Sequence, residues 1–100
     1  MPISPISCNY ALLIEEKSFT DKIAELHKDY IRIYDVHTAI GWALGENPKA
    51  GFVCDDEPLH RIFKTTPIGN TPSFWVLYRF DSQQQKVFLL SIYPADSNNE

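Results

Sequence analysis

Residues 73–93 read SFWVLYRFDSQQQKVFLLSIY. Two runs rich in aromatic and branched side chains flank the polar stretch Asp81-Ser82-Gln83-Gln84-Gln85. That is the pattern of two strands joined by a connection of hairpin length. Strand alternation puts Phe74, Val76, Tyr78 and Phe80 on one face. This all-apolar set reads as core. Trp75, Leu77 and Arg79 share the other face, which is then open. The strand over 86–93 follows directly, so the pairing is antiparallel.

Working back from this hairpin, Pro67 to Pro72 contains Gly69-Asn70, a turn composition. Leu59 to Thr66 (LHRIFKTT) alternates in side-chain type and reads as another strand. It carries His60, Ile62 and Lys64 on one face and Leu59, Arg61 and Phe63 on the other. Lys49 to Pro58 reads as a loop. Its acidic cluster Asp55, Asp56 and Glu57 lacks the spaced oxygen ligands of a calcium loop and is expected to be solvated.

Farther back lie two helical patterns. Phe19, Ile23, Leu26 and Tyr30 recur at helical spacing, which predicts a helix over 18–31. Ser18 is placed as its N-cap, with Asp21 reaching back. Ile33, Val36, Ala39, Ile40, Ala43 and Leu44 form a second stripe, with Trp42 off its centre. Gly41 weakens that helix by about 1 kcal/mol against alanine. Gly45-Glu46-Asn47-Pro48 ends it, because the residue before a proline disfavours helical geometry. Residues 8–14 (CNYALLI) predict a first strand. The order is β-α-α-β-β-β. The fold class is α+β, a two-helix hairpin packed on a small, antiparallel-rich sheet with one face partly open.

Composition bounds the function. The chain has 100 residues, 44% hydrophobic and 22% charged. That suits one soluble domain over 1–100, with a loose leader over 1–7, a core over 8–94 and a tail over 95–100. No apolar run approaches the ~18 residues of a membrane helix, and no basic cluster precedes an apolar stretch at the N-terminus. A cytoplasmic protein without membrane contact is expected. Cys8 and Cys54 lie far apart and read as buried free thiols. No glycine-rich phosphate loop, nucleophile elbow or paired-cysteine signature is present, so no metal or other cofactor is expected. The net charge is −4, yet residues 58–80 carry Arg61, Lys64 and Arg79 and no acid. Two readings follow, a solvated surface or a small anion-facing one.

Three passages together resemble the RelE/ParE superfamily of bacterial toxin–antitoxin toxins. Residues 43–51, ALGENPKAG, resemble the family's "a-L-x-x-n-P-x-x-G". Residues 76–81, VLYRFD, resemble its "R-v-l-Y-r-v-d" strand, and residues 87–93, VFLLSIY, resemble its "v-v-l-l-x-i-x". The resemblance covers roughly residues 10–94. It implies a compact toxin that either cleaves mRNA in the ribosomal decoding site or poisons DNA gyrase, and that is held by an antitoxin protein wrapped around it. The cleavage chemistry it implies is metal-independent. A 2′-hydroxyl attacks the adjacent phosphate, and cations stabilise the charge that develops.

On this resemblance the catalytic candidates are Arg61, Arg79, Tyr93 and His60, and the substrate-binding candidates are Lys64 and Trp75. Arg61 and Lys64 sit on the strand where the nucleases place basic side chains. Arg79 matches a position that is basic or polar in relatives, and Tyr93 matches the C-terminal aromatic. His60 is the general-base candidate because its reference pKa lies near neutrality. Alternation lets Arg61 and Lys64 share the open side only if the strand bulges. His27 and His37 are expected on helix surfaces. Two features depart from the family: Trp75 stands where arginine is common, and residues 93–97, YPADS, carry no Lys, Arg or His. They open an alternative, a catalytically inactive protein-binding module of the same fold. Trp75 would then stack a base, or anchor an interface with an antitoxin helix or with a second subunit of a homodimer.

Overall fold

The computed structural model describes residues 11–54 and 60–95. The leader over 1–7, Cys8, the first residues of the predicted first strand, the acidic cluster Asp55–Glu57 and the tail after Ala95 lie outside the described residues. The elements are β1 (Leu12–Glu15), α1 (Lys17–Leu26), α2 (Ile33–Glu46), β2 (Phe52–Val53), β3 (His60–Lys64), β4 (Phe74–Asp81) and β5 (Lys86–Pro94).

The five strands form one sheet in the order β1-β5-β4-β3-β2. Neighbours along β2 to β5 are antiparallel, while β1 runs parallel to β5. A parallel pair cannot be closed by a tight turn. The chain between β1 and β5 makes the two helices and the other three strands before returning. The helices cover one face of the sheet. Phe19, Ile23 and Leu26 of α1 and Ile33, Val36, Ile40 and Leu44 of α2 are buried with Phe74, Val76, Tyr78, Phe80, Val87, Leu89 and Ile92 of β4 and β5. The alternation expected along β4 is met at every position from Phe74 to Phe80.

Four local expectations are corrected. First, α1 ends at Leu26, not near residue 31. Tyr30 still reaches the core because a turn follows, in which its N–H donates to the carbonyl of Leu26 at 2.8 Å. Its ring then meets Phe74 edge-on, with centroids 5.2 Å apart. Second, Ser18 lies inside α1 rather than at its N-cap, which is Glu16. Asp21 pairs with Lys17 at 2.7 Å instead of reaching back. Third, Phe52 and Val53 leave the predicted loop to pair with Ile62 and Arg61. Fourth, His37 is no free surface histidine. It bonds Glu15 at the end of β1, and its ring lies against Phe19.

Ser18 has a different partner. The β4–β5 ladder shifts register between Leu77, opposite Ser91, and Tyr78, opposite Leu89. Leu90 is left unopposed, a β-bulge. The hydroxyl of Ser18 donates to the carbonyl of Leu90 at 2.6 Å. The extra residue changes the phase of β5. Val87, Leu89 and Ile92 all point into the core, and Tyr93 points out.

The passage after α2 is tied down from the sheet. The Tyr78 hydroxyl, at the centre of β4, donates to the carbonyl of Pro48 at 2.6 Å and accepts from the N–H of Gly51 at 2.9 Å. A Cβ on Gly51 would lie 2.7 Å from the Ile62 carbonyl oxygen and 2.8 Å from the Tyr78 hydroxyl. Only glycine fits this approach. Burial raises the Tyr78 pKa, an effect opposed by the Gly51 N–H and the nearby charge of Arg61.

Candidate functional site

Residues directly opposite on neighbouring strands share a face. The pairing therefore defines rows across the uncovered side of the sheet. One row runs His60, Arg79, Phe88 and Ile14, over β3, β4, β5 and β1. Another runs Lys64, Trp75 and Tyr93. Between them lie Phe52, Ile62, Leu77 and Ser91, largely apolar. Beyond the first row lie Asp81, Lys86 and Leu12.

Two cations on this face, Arg79 and Lys64, rest on rings. The guanidinium carbon of Arg79 lies 4.1 Å from the centroid of Phe88. The ammonium of Lys64 lies 5.5 Å from the centroid of Trp75. Attraction between a cation and the ring quadrupole stabilises both arrangements. Among the described residues neither cation joins an ion pair. Asp81 shares the face but is held in the β4–β5 turn. Its carboxylate accepts from the N–H groups of Gln83 and Gln84 and from the Gln84 side chain. Arg79 and Trp75 are four residues apart on β4, about 13 Å at roughly 3.3 Å per residue. The face thus offers a charged, ring-backed position beside a histidine, and an aromatic platform with its own cation. Phosphate and exposed bases are the chemistry that such groups contact.

Five of the six candidate residues, His60, Arg79, Tyr93, Lys64 and Trp75, are placed on this open face. Arg61 is not among them. It is opposite Tyr78, on the helix-covered side. Its guanidinium donates to the carbonyl of Gly51 at 2.9 Å and to that of Lys49 at 3.3 Å. It braces the same turn that Tyr78 holds. β3 carries no bulge in its ladder with β4, so Arg61 and Lys64 point to opposite sides. Phe88 was not singled out in sequence. Its place opposite Arg79 could have been read only from the hairpin register.

No protein-family model and no curated protein matches the sequence. Among solved structures, a double arginine-to-alanine mutant of the E. coli toxin RelE in the free state superposes with a TM-score of 0.63. The likeness covers 87% of this chain and 85% of that one, at 13% identity. The chain has a RelE-like fold. Within that RelE-like fold the resemblance seen in sequence acquires a physical content. The glycine of ALGENPKAG and the tyrosine of VLYRFD are one contact, Gly51 on Tyr78. Cys54 is a free, half-buried thiol at the end of β2. No described helix is long and apolar enough to cross a membrane.

Proposed function

We propose that this chain is the toxin of a toxin–antitoxin pair and that its open sheet face acts on single-stranded RNA at the ribosome. The observation that carries this reading is the joint placement of Arg79 on Phe88, beside His60, and of Lys64 on Trp75, beside Tyr93. Ring-backed cations suit unstacked bases and their phosphates, which favours RNA over gyrase as target. In a cleavage step His60 would take the proton of the attacking 2′-hydroxyl as its oxygen bonds to phosphorus and the P–O5′ bond breaks. This gives a 2′,3′-cyclic phosphate and a 5′-oxygen that takes a proton from the imidazolium or from water. Arg79 would neutralise the charge that develops on the phosphate oxygens, and Tyr93 would stack on a neighbouring base. The step uses no metal or other cofactor. Arg61 has no part in it, since its donors face the covered side. Translation is its setting, which places the protein in the cytoplasm. The antitoxin is expected on apolar surface, and Ile31, Tyr34 and Trp42 are exposed on the helical side.

A second reading is favoured by one observation, the indole of Trp75 opposite Lys64. There the toxin face would occupy its target without cutting it, or would serve only to bind protein, including a second copy of the chain. Pulse labelling of protein and DNA synthesis, minutes after induction of this chain alone in bacteria, tests the choice. A prompt fall in protein synthesis with cleaved mRNA supports the nuclease. A fall with intact mRNA supports occupancy. A first fall in DNA synthesis would replace the ribosome by gyrase, and no fall in either would leave the protein-binding module.

A further inference from the structure

We infer that Phe88 is the positioning residue of the open face, holding the guanidinium of Arg79 as a preset fork for one phosphodiester group. The inference rests on the RNA reading above and assigns a role within that site.

The argument starts from register. Arg79 and Phe88 are direct partners in the antiparallel ladder of β4 and β5. The guanidinium carbon sits 4.1 Å from the ring centroid, a separation that fits face contact. A guanidinium is weakly hydrated on its faces and carries its N–H donors in its plane. Covering one face with a ring therefore leaves the donor edge available. It also restricts a long side chain that would otherwise sample many rotamers, so less ordering remains to be done on binding. A phosphodiester accepts two parallel N–H bonds from such an edge.

Two further observations separate this unit from a generic surface arginine. The acid two residues along the same face, Asp81, is committed to the turn amides of Gln83 and Gln84. Among the described residues no carboxylate pairs with Arg79. The other cation on a ring, Lys64 on Trp75, is a point charge at 5.5 Å and lacks a planar fork. The two units therefore differ in what they present: Arg79 offers a bidentate edge, and the Trp75–Tyr93 row offers ring faces.

The test uses the full chain and a short fluorescein-labelled single-stranded RNA, with affinity read by anisotropy over a series of salt concentrations. Phe88→Leu keeps an apolar side chain and removes the ring face. It should weaken binding about three- to tenfold, in line with loss of a cation–π contact, while the salt dependence stays that of wild type. Phe88→Tyr should restore affinity. Arg79→Lys keeps the charge and loses the fork, and it should match Phe88→Leu without touching Phe88. Arg79→Ala should also lower the slope of log affinity against log salt by roughly 0.7, one phosphate contact. The Arg79 Nε–H resonance should lose its ring-current shift in Phe88→Leu and keep it in Phe88→Tyr. Wild-type binding to RNA with no change in Phe88→Leu or in Arg79→Lys overturns the inference alone. Failure of wild type to bind RNA overturns the RNA reading and the inference with it.

Discussion

Arg61 and Arg79 lie on neighbouring strands of one sheet and meet opposite fates. On the covered side, Arg61 is spent on backbone carbonyls of residues 49 and 51. On the open side, Arg79 rests on Phe88 and pairs with no carboxylate among the described residues. Sequence treats the two alike, as cations in one locally basic stretch. The difference comes from side-chain parity along two antiparallel strands. It teaches that a basic residue on a sheet of this kind is a brace or a binding group according to its face.

The covered side should show the largest effects on stability. Gly51→Ala sets a Cβ against the Ile62 carbonyl and the Tyr78 hydroxyl, and overpacking of this kind costs about 2–3 kcal/mol. Urea unfolding would show it as a lowered midpoint. An unchanged midpoint would mean that the turn is not clamped. Tyr78→Phe strands the Pro48 carbonyl and the Gly51 N–H, for about 1–3 kcal/mol.

Arginine substitutions then divide the two faces. Arg61→Ala should cost about 1–2 kcal/mol in the same unfolding assay, since charged donors leave two carbonyls unserved. Any toxicity should survive in proportion to the folded protein. Arg79→Ala should stay within about 0.5 kcal/mol of wild type yet abolish or strongly reduce toxicity. Equal stability losses in the two variants would erase the contrast.

The smallest effect is one of pH. Burial raises the Tyr78 pKa above the value of about 10 it has when unfolded. In the window between the two values the unfolded chain has lost a proton that the folded chain keeps. Stability is therefore fully present below about pH 10 and falls as pH rises through the folded pKa. Urea midpoints taken on both sides of that limit should diverge less in Tyr78→Phe than in wild type.

Much of this architecture was legible in the chain. The alternation Phe74, Val76, Tyr78, Phe80 and the helical stripes of Phe19–Ile23–Leu26 and Ile33–Val36–Ile40–Leu44 identify the core, because burial repeats with a period. What lacked a period was missed. A two-residue strand such as Phe52–Val53 offers no alternation to read. Ser18 has the look of a cap, but its partner is the carbonyl of Leu90, 72 residues away. The role of Arg61 depends on carbonyl groups, and carbonyls leave no mark in side-chain type. The placement of His60, Lys64, Trp75 and Arg79 on one side followed from alternation alone. That of Tyr93 did not, since simple alternation groups it with Val87 and Leu89.

Leu90 gives the last strand a property that resembles a reading frame. Upstream of it, odd-numbered residues face the core; downstream, even-numbered ones do. The bulge thus absorbs one surplus letter and resets the phase, so that Val87, Leu89 and Ile92 are all read by the interior. Removing Leu90 would delete only the surplus letter, leaving Ser91, Ile92 and Tyr93 opposite Leu77, Val76 and Trp75 in an unbroken ladder. Pairing Leu90 as an ordinary ladder residue would instead shift the frame, sending Ser91 inward and Tyr93 away from Trp75. The far end of the open face therefore rests on the bulge that the hydroxyl of Ser18 meets at the Leu90 carbonyl.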